Sequence, residues 1–330
     1  MGVTGAALVF RQEIQAAAYP EYFTIERDDA RAADWTLVRA GLERAYPGAR
    51  VSGIDWPTYR RDTFLAYVTS GNEFKTAFSH PVSGLVVGEL PFDWIRALQE
   101  LHFTLLAGPA GVIVNAIGAA SILVMCVSGI ALWWQARGRW MRALHPGVGA
   151  WAVPFLVMWA VSGLYFSFPQ ALRGAIGVVT PVTDARAPAS TLSTEIRQAP
   201  EPTELIARAQ QRTPGGRIAR FVLPFGERGT FLVVLARDVH GDHDASDEVS
   251  LYFDQYSGEL LQTRDHRIRT AGDTLVSLAG PVHMGSFGGL PVKILWAVMG
   301  LAGPLLAVTG VIIWRARRVQ GPALPANRAS

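Results

Sequence analysis

GVIVNAIGAASILVMCVSGIALWW, Gly111–Trp134, decides the fold: it is a run of 24 residues without one charged side chain. About 20 apolar residues at 1.5 Å per residue cross the ~30 Å hydrocarbon layer of a bilayer, so the run predicts a transmembrane helix. Gly147–Phe168 and Leu290–Trp314 are of similar length and lack Asp, Glu and Arg, with Lys293 at the edge of the last. Outward from these runs, no acid occurs between Glu100 and Asp184 or after Asp273, so all 27 lie elsewhere. Overall, 50% of residues are apolar and 17% charged, which excludes a disordered chain. Soluble domains usually carry about a quarter charged residues, so a wholly soluble chain is disfavoured too. The one cysteine, Cys126, excludes a disulfide framework and cysteine-ligated zinc or iron–sulfur sites. A net charge of +3 gives no reason to expect a nucleic-acid partner.

Arginine sets the expected orientation. The link after Gly111–Trp134 carries Arg137, Arg139 and Arg142, and the tail carries Arg315, Arg317, Arg318 and Arg328, with no acid in either. Positive segments stay inside, so both are expected in the cytoplasm, with Trp133, Trp134, Trp140 and Trp314 marking that interface. The longer segments between spans then face the periplasm, and the protein is expected in a bacterial inner membrane.

The chain also repeats. A shift of 181 residues lays His102 on His283, Gly108 on Gly289, Ser128 on Thr309, Gly129 on Gly310 and Trp133 on Trp314. A shift of 158 lays Val3-Thr4-Gly5 on Val161-Ser162-Gly163 and Phe10 on Phe168. The segments between correspond as well: Arg44-Ala-Tyr-Pro-Gly-Ala-Arg-Val with Gln211-Arg-Thr-Pro-Gly-Gly-Arg-Ile, and Phe78-Ser-His-Pro-Val-Ser-Gly with Phe253-Asp-Gln-Tyr-Ser-Gly. The unit helix, soluble domain, His, helix is used twice. Gly163 lies eighteen residues after His145, and Gly5 is expected to have as much helix before it, so the first span reads as truncated. A cleaved signal peptide is disfavoured, because no basic segment precedes the apolar start.

Helical spacing over Ala33–Ala45 (Trp35, Leu37, Val38, Leu42) predicts a helix ended by Pro47-Gly48, followed by strands at Val51–Trp56, Thr63–Thr69 and Glu73–Ser79. The second soluble segment predicts a helix at Thr203–Gln211 and strands at Arg217–Leu223, Thr230–Arg237 and Glu248–Phe253. Units of about 60 residues bury little core alone, so they are expected to pack on each other or on the membrane helices. The fold class is an α+β membrane protein. It has three complete transmembrane helices, a truncated first helix and two small α+β domains in an internal two-fold repeat. The expected boundaries are a first-helix remnant at 1–10, a periplasmic domain at 11–100, a His-bearing lead-in and span at 101–134 and a cytoplasmic loop at 135–146. A span at 147–168, a second periplasmic domain at 169–282, a second His-bearing span at 283–314 and a cytoplasmic tail at 315–330 complete the chain.

Gly129-Ile-Ala-Leu-Trp-Trp, Leu101-His102 and Pro281-Val-His-Met-Gly-Ser-Phe-Gly-Gly carry a resemblance to the bacterial PepSY-associated transmembrane-helix proteins. It covers nearly the whole chain and implies PepSY-like soluble domains. Members of that family typically begin with a His at the cytoplasmic end of the first helix, which this sequence lacks. Some are di-haem inner-membrane reductases that release iron from ferric siderophores; many are uncharacterised.

Three histidines stand at span ends: His102 and His283, equivalent by the repeat, at the outer side, and His145 at the inner side. Two neutral imidazoles fill both axial positions of a haem and favour electron transfer. His102 and His283 are expected to face each other across a helix interface, with Phe103, Met284 and Phe287 forming part of an apolar pocket; the resemblance implies the same pairing. His145 is expected to pair with the missing first-helix His. That makes one complete bis-His haem b site here and a second in a longer chain. The plainer alternative is that these histidines only anchor helix ends. His80 and His266 read as solvated, and His240-Gly-Asp-His-Asp-Ala-Ser-Asp-Glu (240–248) as a solvated loop or a divalent-cation site. Pro154 and Pro304 lie inside spans, and Cys126 has no assigned chemistry.

The expected activity is transfer of electrons across the membrane to a periplasmic ferric chelate or siderophore, a ferric-chelate reductase. No Gly-rich nucleotide fingerprint occurs, so the donor is expected to be a quinol or another protein. The alternative is a haem-free membrane protein that restrains a peptidase or senses envelope ligands. A transporter is disfavoured by the lack of charge inside the spans, and a hydrolase by the lack of a nucleophile–base pair.

Overall fold

The computed structural model describes residues 1–25, 34–58, 60–71, 73–90, 93–135, 144–184, 186–192, 200–237 and 247–319. Arg137, Arg139, Trp140 and Arg142 of the link, residues 240–246 of the His-rich loop, and Arg328 lie outside the described residues. The chain forms two units. One takes in Met1–Arg11, Trp94–Val179 and Leu278–Ser330, the other Gln12–Asp93 and Thr180–Ser277. In chain order the elements begin α1 (Gly2–Val9), α2 (Arg11–Ala18), α3 (Pro20–Phe23), α4 (Trp35–Ala45), β1 (Arg50–Asp55), β2 (Phe64–Ser70), β3 (Glu73–Ser79) and β4 (Val86–Glu89). Four helices follow: α5 (Trp94–Thr104), α6 (Gly108–Gln135), α7 (Leu144–Ser167) and α8 (Pro169–Val179). The remainder is α9 (Pro202–Arg212), β5 (Arg217–Val222), β6 (Thr230–Ala236), β7 (Glu248–Asp254), β8 (Leu260–Asp265), α10 (Ala271–Met284) and α11 (Gly289–Val319).

The second unit holds one eight-stranded antiparallel sheet in the order β4-β3-β2-β1-β5-β6-β7-β8. Its halves have the same plan, a helix followed by a four-stranded meander, and they join where β1 pairs with β5 (Ile54 opposite Phe221, Asp55 opposite Arg220). Each helix follows from its sequence. Asp34 caps α4 by accepting from the N–H groups of Thr36 (2.9 Å) and Leu37 (3.4 Å), and Trp35, Val38 and Leu42 form its buried face. Pro202 starts α9, which buries Leu205, Ile206 and Ala209. Both faces enter a single core with Phe64, Phe221, Phe231 and Phe253. Two segments too small to fold alone thus share one core across the β1–β5 seam, where Arg220 grips both carboxylate oxygens of Asp55 (2.5 and 3.0 Å). The fourth strands, β4 and β8, were not expected; both are edge strands whose short or polar sequences lack apolar alternation.

The other unit is helical. Gly108–Gln135, Leu144–Ser167 and Gly289–Ala316 are long and apolar enough to cross a membrane. Their apolar side chains face outward, as with Val124 (69% exposed) and Trp151 (72%), where lipid can cover them. The chain is a membrane protein. Trp314 at the end of α11 lies under the Arg318 guanidinium, 4.2 Å from the ring centre, an aromatic–cation pair suited to a bilayer interface. The helices α7 and α11 run through Pro154 and Pro304 without ending. The helix α8, which starts at Pro169 just after α7 ends, groups with the helical unit.

The lead-in to the first span is a separate helix. Leu105 and Leu106 adopt φ of 53° and 58°, a left-handed conformation costly for side chains with a Cβ, and this turns the chain between α5 and α6. Asn115, near the start of the Gly111–Trp134 run, explains how the turn holds: its amide donates to the carbonyls of His102 (2.8 Å) and Phe103 (3.3 Å). The counterpart of Asn115 under the 181 shift is Trp296, whose indole N–H donates to Val282 O at 2.7 Å. Both His-bearing helices are therefore fastened at their carbonyl ends by the following span.

Candidate functional site

The helical unit encloses an open-mouthed cavity of about 1450 Å³ lined by α1, α5, α6, α7, α10 and α11. Single-cofactor pockets run to roughly 300–1,000 Å³, so there is room for more than one group. His102, His145 and His283 all line it. The His102 and His283 ring centres are 6.3 Å apart with planes at 73°. Phe103 lies 5.9 Å edge-on to His102 and Phe166 5.3 Å edge-on to His283. Burial pushes both imidazoles below the ordinary histidine range, His283 to about 4, with His102 adding to the shift. Their neutral forms, which can bind a metal, therefore prevail at neutral pH.

Each of the three rings has a hydroxyl at Nδ1. Thr4 Oγ1 of α1 lies 2.8 Å from His102 Nδ1, Ser162 Oγ of α7 2.7 Å from His283 Nδ1, and Thr309 Oγ1 of α11 2.8 Å from His145 Nδ1. His145 and Ser162 are 17 residues apart on α7, about 25 Å along the axis, so His145 occupies a different level of the cavity from the His102–His283 pair. Glycine leaves room for two of these rings. A Cβ on Gly5 would come within 3.2 Å of His102 Cε1, and one on Gly310 within 3.4 Å of His145 Cε1.

Whether haem suits these residues can be judged from the donors. Metal–imidazole bonds of about 2 Å place two facing rings roughly 6 Å apart centre to centre, comparable to the observed separation. Among the described residues no group of three or more His, Cys, Asp or Glu is placed to hold a bare ion. Two imidazoles in an apolar cavity instead suit a metal that brings its own macrocycle. The residues fit the group.

Of the expected pocket residues, Phe103 and Met284 line the cavity. Phe287 instead packs edge-on to Trp296 at 5.3 Å and is 57% exposed. Phe166, Trp159, Gly5 and the hydroxyls were missed, although the repeat had already aligned Thr4 with Ser162. His80 organises a turn, its Nδ1 accepting from the N–H groups of Val82 (3.2 Å) and Ser83 (3.3 Å). His266, expected to be solvated, is half-buried, with Nε2 3.2 Å from Ser250 Oγ.

The sequence profile of the PepSY-associated TM region matches residues 1–317. The chain belongs to that family. Over 260 residues this PepSY-associated protein is 24% identical to an uncharacterised protein of Pseudomonas aeruginosa, an alignment covering 68% of the chain and 64% of that relative. The chain thus spans somewhat less than two-thirds of the length of the curated relative it matches.

Proposed function

We propose that this protein is a haem-binding oxidoreductase of a bacterial inner membrane that passes electrons to a ferric chelate such as a siderophore in the periplasm. The observation that carries the reading is the His102–His283 pair, 6.3 Å apart, each ring anchored at Nδ1 and both lining one apolar cavity. Haem b held there would supply one-electron exchange between ferric and ferrous iron. The protein's own part would be to fix the His102 and His283 imidazoles that would hold it, to exclude water with Phe103, Phe166 and Trp159, and to set the potential through burial. His145, about 25 Å along α7 from Ser162, would offer an imidazole to a second group at its own level of the cavity. A pair of such levels suits transfer across the membrane, with the arginine-bearing link and tail inside, a quinol or partner protein as donor and the chelate outside. Taking up one electron turns ferric iron into the softer, less charged ferrous ion and weakens a hard oxygen-donor complex.

The test is stopped-flow mixing of the dithionite-reduced, desalted protein with a ferric siderophore. Reoxidation of the Soret band, with one ferrous ion trapped by ferrozine per haem oxidised, is the expected result. A haem-loaded protein that stays reduced would remove the reductase assignment. A colourless protein expressed with ample haem would favour the binding or regulatory alternative.

A further inference from the structure

We infer that Thr4, Ser162 and Thr309 are positioning residues: each hydroxyl holds its histidine as the Nδ1–H tautomer and leaves the Nε2 lone pair free for iron. This rests on the haem reading and adds to it what fixes the ligands. A hydroxyl has one hydrogen, and each of these three is committed to a carbonyl of its own helix. Thr4 Oγ1 donates to Met1 O (2.8 Å), Ser162 Oγ to Met158 O (2.7 Å) and Thr309 Oγ1 to Leu305 O (2.8 Å). The oxygen therefore turns a lone pair toward Nδ1. At 2.7–2.8 Å two lone pairs would repel, so Nδ1 carries the proton. A neutral imidazole has only one N–H, so Nε2 is bare.

Bonding of a Ser or Thr hydroxyl back to its own helix is common and by itself needs no ligand. It does not explain why three such hydroxyls, on three different helices, each meet an imidazole that lines the same cavity. The repeat makes two of them one device used twice, since Thr4 and Ser162 correspond, as do His102 and His283. Ser128, the counterpart of Thr309, is built alike, with its hydroxyl donating to Met125 O (3.1 Å). In metal sites the partner of the non-ligating ring nitrogen fixes orientation and raises ligand basicity, and its loss typically costs roughly 10–100-fold in metal affinity.

The experiment compares Ser162→Ala, Ser162→Thr and His283→Ala in the full chain with the wild type, reading haem affinity, midpoint potential and the low-spin electron paramagnetic resonance (EPR) signal. Ser162→Ala is expected to lose roughly 10–100-fold in haem affinity. Its potential should rise, because an imidazole without its acceptor donates less charge to ferric iron, and Ser162→Thr should restore both. Thr4→Val, equal in shape to threonine, repeats the test at His102 and guards against misfolding of a single variant. Unchanged affinity, potential and signal in Ser162→Ala and Thr4→Val overturn this inference while leaving the haem reading intact. So does a Ser162→Thr protein as impaired as Ser162→Ala. A wild type without haem, or a His283→Ala variant with an unchanged bis-imidazole signal, overturns the haem reading itself.

Discussion

At the scale of single residues, charge is placed by role. Asp265 ends β8 and receives two hydrogen bonds from Arg237 (2.9 and 2.7 Å). That guanidinium, outweighing partial burial, holds its carboxyl at about 2. A depressed carboxylate pKa contributes stability that is complete above the unfolded value near 3.9 and is lost as pH falls toward the folded value. The sheet unit should therefore weaken between about pH 4 and pH 2 partly through this pair. In thermal melts, the gap between wild type and Asp265→Asn should be widest at pH 5 and nearly closed at pH 2; a gap independent of pH would contradict the assignment. The three histidines that line the cavity were legible in the sequence, because all stand at span ends and His102 and His283 recur under the 181 shift. Thr4, Ser162 and Thr309 were visible only as markers of repetition. Nothing in a sequence tells which hydroxyl of a helix will meet a ring 98, 121 or 164 positions away.

At the scale of elements, the His102 helix depends on one close approach. Gly111 on α6 lies against the end of α5 so tightly that a Cβ would sit 1.5 Å from Thr104 O. Gly111→Val must push α5 away, pull His102 from His283 and break the Asn115 clasp. Overpacking typically costs about 1–3 kcal/mol; the expected outcome is a lower melting temperature and a loss of any haem bound between His102 and His283. A variant with wild-type melting and haem content would show that α5 is not held this way. The spans themselves were readable to within a few residues, because length and the absence of charge are all a bilayer demands. The break after His102 was not read, although Gly108, at φ 56°, and Pro109 stand at it; the left-handed backbone at Leu105 and Leu106 has no signal of its own in the sequence. The edge strands β4 and β8 escaped for a related reason: an edge needs no apolar alternation.

At the scale of the whole molecule, duplication explains both units. In the sheet unit it yields two meanders that complete one another. Phe221, fully buried beside the β1–β5 seam, touches Trp35 of the first half and Phe231 of the second. Phe221→Ala should cost about 3–5 kcal/mol and lower hydrogen-exchange protection in β2 and β6 together. Loss confined to β5 and β6 would mean that the halves fold separately. In the helical unit the same duplication sets His102 beside His283, and that pairing is the central claim. Its most direct test is the low-temperature EPR spectrum of the oxidised, purified protein beside those of His102→Ala and His283→Ala. The wild type should give the low-spin signal of bis-imidazole ferric haem, and each variant should lose that component while the circular dichroism stays unchanged. A wild type with no such signal, or variants that both retain it in full, would contradict the account.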